Sequence, residues 1–233
     1  MKHFFCTLVL VLFLASFAQA DNLKSNHQTG FYIAAGVSMA SQESSDAYIS
    51  SSTLYQRFGD RDDTSHGGSL AAGYDFNPAF HIPVRVELEY MIRSEAETVW
   101  TGDQGIFISG PLDWEVKAKT DLDTLLLHFF YDFKNQTAFT PYLSGGIGFA
   151  FIDSMVLYED SNANIFNGSS DETNFAWSLG AGCSYTLNEN WGLTLGYRYL
   201  DAGTREVKPA SLAVKVSTDV RIHEMIFSVQ YRF

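Results

Sequence analysis

Val84-Arg85-Val86-Glu87-Leu88-Glu89-Tyr90-Met91-Ile92-Arg93 alternates between two kinds of side chain. Its even positions (Val84, Val86, Leu88, Tyr90, Ile92) are apolar and its odd positions are mostly charged. That is the period of an extended strand with one greasy face and one charged face. The same alternation recurs in Phe31-Ile33-Ala35-Val37-Met39, Leu70-Ala72-Tyr74-Phe76, Leu125-Leu127-Phe129-Tyr131-Phe133 and Leu143-Ile147-Phe149-Phe151. It recurs again in Phe175-Trp177-Leu179-Ala181-Cys183-Tyr185, Trp191-Leu193-Leu195-Tyr197-Tyr199 and Met225-Phe227-Val229-Tyr231-Phe233. Eight strands are predicted in all.

The opposite faces carry small or polar residues: Ala34, Gly36, Ser38; Ser144, Gly146, Gly148, Ala150; Ser178, Gly180, Gly182, Ser184; Ser228, Gln230, Arg232. A narrow barrel interior needs such residues. A lipocalin-like soluble barrel would alternate too, with its apolar face inward, and connection lengths separate the two readings. Asn77-Pro78, Lys134-Asn135-Gln136 and Leu187-Asn188-Glu189-Asn190 mark short turns. The other connections, Ser41 to His66, Ser94 to Asp121, Asp153 to Thr173 and Asp201 to Val220, are long and polar. Short and long connections alternate strictly, as in a barrel with one rim in the periplasm and the other outside. The predicted fold is therefore all-β: an eight-stranded antiparallel up-and-down transmembrane β-barrel with four long extracellular loops and three short periplasmic turns. Tyr74, Phe76, Tyr131, Phe133, Tyr185, Trp191, Tyr231 and Phe233 gather near the short-turn rim, as an interfacial aromatic girdle does.

Met1 to Ala20 reads as a cleaved signal peptide: Lys2, an apolar run from Phe4 to Phe17, then Ala18-Gln19-Ala20. The barrel domain is expected over residues 21–233. Asp21, rather than a cysteine, follows the cleavage site, so no lipid anchor is expected. The full chain has a formal charge of −12, with 27 acids against 15 bases. Such a surface disfavours nucleic acid. Cys183 alone remains after processing, which excludes an internal disulfide in the mature chain. It faces lipid by parity as a small apolar residue.

Several segments resemble the opacity-protein and OmpA-like outer-membrane β-barrel superfamily. They are Gly73-Tyr74-Asp75-Phe76 followed by Ile82-Pro83-Val84-Arg85-Val86-Glu87-Leu88-Glu89-Tyr90, Tyr131-Asp132-Phe133, Pro141-Tyr142-Leu143-Ser144-Gly145-Gly146-Ile147-Gly148, Phe175-Ala176-Trp177-Ser178-Leu179-Gly180-Ala181-Gly182 and Gly196-Tyr197-Arg198-Tyr199-Leu200. Tyr231 and terminal Phe233 resemble the signal read by the barrel-assembly machinery. The resemblance implies a barrel in outer-membrane lipid. Its relatives include host-cell adhesins, surface antigens and structural proteins. The sequence ends at the last strand, so the peptidoglycan-binding domain of full OmpA-type proteins is not expected.

Strand parity points Asp75, Arg85, Glu87, Glu89, Arg93, His128, Asp132, Arg198, Glu224 and Arg232 into the lumen. Near balance of sign predicts mutually neutralising pairs that fill the interior, because an unpaired charge there is costly. An ion pathway is the competing reading. Arg198 and Glu224, at comparable heights on neighbouring strands, are expected to pair.

No catalytic, cofactor-binding or metal site is predicted. His128 faces inward and lacks a nearby serine in a His-x-Ser order, and Asp153-Ser154 has no matching histidine. Asp60, Asp62 and Asp63 lack calcium-loop spacing, and His66 and His223 lack partners at informative spacing. Asn167-Gly168-Ser169 reads as a turn. Ile106, Phe107 and Ile108 form an apolar loop segment that could contact a partner, with Val99, Trp100, Trp114 and Val116 pairing below it as an extended hairpin. The leading expectation is a non-enzymatic, monomeric surface protein contacting a host receptor or matrix protein through its loops. The alternative is a structural or narrow-conductance barrel supporting outer-membrane integrity.

Overall fold

The computed structural model describes residues 29–50, 55–57, 61–104, 111–162, 165–207 and 215–233. The expected signal peptide and the Ile106–Ile108 segment lie outside them. The described chain is almost entirely strand: β1 (Phe31–Ser50), β2 (Tyr55–Arg57), β3 (Arg61–Asp75), β4 (Val84–Arg93), β5 (Ala96–Gln104), β6 (Pro111–Asp132), β7 (Phe139–Asp160), β8 (Ile165–Thr186), β9 (Trp191–Val207) and β10 (Lys215–Arg232). A four-residue helix, α1 (Asn77–Phe80), opens at Pro78 and turns the chain between β3 and β4. Eight strands close a barrel in the order β1-β3-β4-β6-β7-β8-β9-β10, with β10 pairing back on β1. The closing ladder runs from Tyr32 opposite Arg232 up to Ser50 opposite Lys215. β2 and β5 are extensions on the long-connection side, paired to β1 and β6.

The short turns fall where the sequence places them, but the long connections are shorter than the polar composition implies. β1 continues to Ser50, and β3 begins at Arg61. β7 and β8 pair from Phe139 opposite Tyr185 up to Glu159 opposite Ile165. Asn167-Gly168-Ser169 is thus part of β8 rather than a turn, and His66 sits within β3 rather than at its start. Polar composition suggests loop, yet a strand above the membrane needs polar residues on its wet face.

The outward alternation changes sign along each strand. Near the short turns the outward residues are apolar and exposed, as at Phe149, Ile147, Leu195 and Phe227. Higher up, the outward positions on the same strands become Asp121, Asp153, Asp201 and Arg221. Their inward neighbours Leu122, Ile152, Leu200 and Ile222 are all at most 1% exposed. With Ala40, Leu126, Ala150, Ala176, Ala202 and Val220 they form one apolar layer across the upper lumen. Each large aliphatic side chain in it contributes ~1.5–3 kcal/mol by burial. The barrel is therefore lipid-facing below and water-facing above, and its interior composition inverts accordingly.

Lower down, glycines make room for large inward side chains. A Cβ on Gly73 would overlap the Tyr32 ring, one on Gly146 would lie 2.5 Å from His128 Nδ1, and one on Gly182 would lie 2.5 Å from Tyr142 Oη. Gly148 is tighter, because a Cβ there would collide with the Leu125 carbonyl oxygen on the neighbouring strand. Backbone cannot rotate aside as a side chain can. Gly148→Ala is expected to destabilise the barrel by ~1–3 kcal/mol. Gly68→Ala, whose Cβ would meet nothing nearer than 3.9 Å, should leave stability unchanged. Urea unfolding of the barrel refolded into lipid vesicles measures both, and equal midpoints would refute the close approach.

Candidate functional site

Two regions carry the charged residues singled out in the sequence: the lower lumen and the outer rim. In the lumen, Arg198 lies opposite Glu224 in the β9–β10 register, and Arg198 Nε is 2.6 Å from Glu224 Oε1. Its Nη1 donates to Glu89 Oε1 at 2.5 Å and to His128 Nε2 at 3.0 Å. Glu224 also takes Arg93 Nη2 at 3.0 and 3.2 Å, and Arg93 Nη1 reaches Thr124 Oγ1 at 3.2 Å. One carboxylate thus ties two guanidinium groups, and the knot joins β4, β6, β9 and β10.

Nearer the short turns, Arg85 makes a two-point contact with Asp132: Nε to Oδ2 at 2.9 Å and Nη2 to Oδ1 at 3.0 Å. Its guanidinium stacks over Phe130 at 4.5 Å from the ring centroid. Lys134 closes the mouth, 3.3 Å from Asp132 and 3.7 Å from Asp75, while Asp75 Oδ1 accepts the Asn77 N–H that starts α1. Arg232 is half-buried and Glu87 buried; neither makes a salt bridge among the described residues.

The apolar layer goes unread in the sequence because Ala202 and Val220 fall within a polar connection and Ala40, Leu122, Ile152, Leu200 and Ile222 lie at the connections' edges. The signal is present: Leu122, Ile152, Leu200 and Ile222 each adjoin an acid or arginine at the opposite parity. Two of its members are level with the charge network, Ala40 opposite Glu224 and Leu126 opposite Glu89.

On the outer face, Tyr197 Oη contacts His223 Nδ1 at 2.5 Å, and His223 Nε2 lies 3.7 Å from Glu43. Asp63 Oδ1 accepts the Thr64 N–H and Oδ2 the Glu97 N–H. Asp60 and the Asp62 side chain lie outside the described residues. No group of three metal-ligating side chains occurs among the described residues. Asp153 and Ser154 are neighbours on one strand and point to opposite faces, so they cannot act as nucleophile and base on one substrate. β5 and β6 pair as a hairpin, with Trp100 opposite Val116 and both turned inward. The stretches 41–66, 94–121, 153–173 and 201–220 hold five acids and two bases, six and two, five and none, and three and three. Together they carry 19 of the 27 acids and 7 of the 15 bases. The whole formal net charge of −12 therefore resides on the long-connection half.

At the other rim the aromatic residues contact one another edge to face. Phe31 and Tyr74 lie 4.8 Å apart, Trp191 and Tyr231 5.0 Å, and Tyr231 and Phe233 5.2 Å. Phe233 is held by its N–H to Phe31 O and its carbonyl to Thr29 N, both 3.1 Å.

Glu224→Ala is expected to cost ~3–5 kcal/mol, because it leaves two buried guanidinium groups sharing fewer acceptors. Lys119, exposed and bridged to Glu95 at 2.8 Å, is the control, and Lys119→Ala should not shift the unfolding midpoint. Equal urea midpoints for the two variants would show that the lumen knot does not hold the barrel.

Outer membrane protein PagN of Salmonella typhimurium is 33% identical over 214 residues, covering 87% of this chain and 85% of that protein. A candidate adhesin of Rickettsia conorii, RC1281, is 29% identical over 94 residues, 39% of this chain and 38% of its own length. Among solved structures, the outer membrane protein OprG of Pseudomonas aeruginosa superposes with a TM-score of 0.53 at 22% identity, over 89% of this chain and 97% of that one. It shares the fold. A family model for the outer-membrane protein β-barrel domain matches residues 6–233, and the chain belongs to that family of bacterial outer-membrane β-barrels.

Proposed function

We propose that this protein is a non-enzymatic surface protein that presents an acidic, strand-stiffened outer rim to partners outside the cell, a host receptor or matrix protein among them. The observation that carries this reading is the charge partition: the full net charge lies on the half whose strands rise beyond the lipid-facing belt. Paired strands lose little further entropy on contact, which favours binding. A rim of this charge attracts a basic protein surface and repels polyanions. The similarity to a candidate adhesin supports a contact role. The barrel itself is held in outer-membrane lipid as a monomer, its strands paired around the closed ladder within the lipid belt. Tyr231 and Phe233, at the closing edge of β10, are the contact for the barrel-assembly machinery.

The second reading, a structural barrel supporting the envelope, is favoured by the knotted lumen. Its narrow-conductance form is opposed by the apolar layer, since a constriction lined by Leu and Ile excludes water and ions. Planar-bilayer recordings are expected to show no steady current; a reproducible open level would restore the channel reading.

The surface role is tested by replacing residues 98–118, the upper β5–β6 hairpin, with a short turn in cells displaying the barrel. Attachment to host cells or immobilised matrix protein should fall several-fold, and the remaining attachment should weaken as salt rises. Unchanged attachment with correct surface display would overturn the proposal.

A further inference from the structure

A cavity of about 60 Å³ lies in the lower lumen beneath the apolar layer, among Glu87, His128, Tyr142, Arg198 and Gln230. We propose that it is a binding site for a cluster of ordered water that completes the hydrogen bonding of Gln230 and Glu87. Gln230 is 2% exposed, and its Nε2 has no hydrogen-bond partner in the protein. Glu87, 9% exposed, makes no salt bridge among the described residues, although its neighbour Glu89 is tied to Arg198. Tyr32, buried nearby, interacts electrostatically with Glu87. A buried donor without an acceptor is costly, and the same pocket holds the Gln230 donor and the Glu87 acid, whose needs are opposite.

The chemistry of the lining selects the occupant. An anion would need a free guanidinium in the lining, and the two arginines there are taken, Arg85 by Asp132 and Arg198 by Glu224 and Glu89. A bare metal cation would need several acceptors and would sit against those arginines. Water both donates to Glu87 and accepts from Gln230, and it fits: the space exceeds the ~10–15 Å³ that one molecule needs, and at the ~30 Å³ each occupies in the liquid it takes about two. The apolar layer above bars entry from outside, so these molecules exchange through the mouth lined by Asp75, Asp132 and Lys134.

High-resolution diffraction from the intact barrel in a lipidic phase tests the site. Ordered water is expected within about 2.7–3.2 Å of Gln230 Nε2 and of a Glu87 carboxylate oxygen. Three results would overturn the proposal: a collapsed pocket with Gln230 bonded directly to Glu87, an anomalous peak there after a bromide soak, or one after a rubidium soak. The structure of Gln230→Leu gives a second reading. There the water nearest position 230 should be lost and the Arg198–Glu224 contact kept; water unchanged around the substituted side chain would count against the proposal as firmly.

Discussion

Every peptide N–H and C=O in the hydrocarbon must find a partner within the protein, because lipid offers none. The β10–β1 ladder meets that constraint, and the rest of the molecule depends on it. Once the sheet is closed, each strand has only an outward and an inward face, and the medium outside dictates what each must carry. Along the lower strands the outside is lipid, so apolar residues go out and the lumen inherits the polar ones. Above the belt the outside is water, so the assignments exchange. Leu122 beside Asp121 and Ile152 beside Asp153 mark where that exchange occurs.

The inversion explains why the lumen has two layers of different character. Charges that face inward within the lipid belt cannot be hydrated by bulk water, so they satisfy one another. Arg198, Glu224, Glu89 and Arg93 do so with each carboxylate serving more than one donor or each guanidinium more than one acceptor. Such sharing makes the network costly to break at any one member and ties non-adjacent strands across the bore. The aliphatic layer above needs no such matching and packs by volume alone.

Much of this was legible in the sequence because strand parity is a local property. The pairing of Arg198 with Glu224 follows from two neighbouring strands and the comparable heights of the two residues on them. The link from Arg93 to Glu224 does not, since it crosses the bore from β4 to β10 and depends on barrel radius and shear. The upper strands were hidden for a different reason. Ser44, Asp63 and Asn167 are poor strand formers by composition, and only the partner strand, supplied by closure, holds their backbone extended. The alternation was readable there too, but with reversed sign it resembled no alternation at all.

One place in the wall escapes the ladder rule, and its chemistry shows what replaces it. β4 ends at Arg93, and β6 changes partner from β4, at Met91 opposite Thr124, to β5, at Ala96 opposite Thr120. Above Gly67, β3 has β1 on one side and no ladder to β5 among the described residues. Ser94 spans the base of this seam, its N–H on the His66 carbonyl at 2.7 Å and its hydroxyl accepting the His66 N–H at 3.0 Å. Asp63 spans the next step, one carboxylate oxygen on each strand. A side chain can serve as a rung there because water reaches this height and tolerates imperfect pairing. In the lipid belt the same gap would leave backbone groups unpaired at several kcal/mol each. The seam opens only above Gly67, at about the height where the outward residues turn polar.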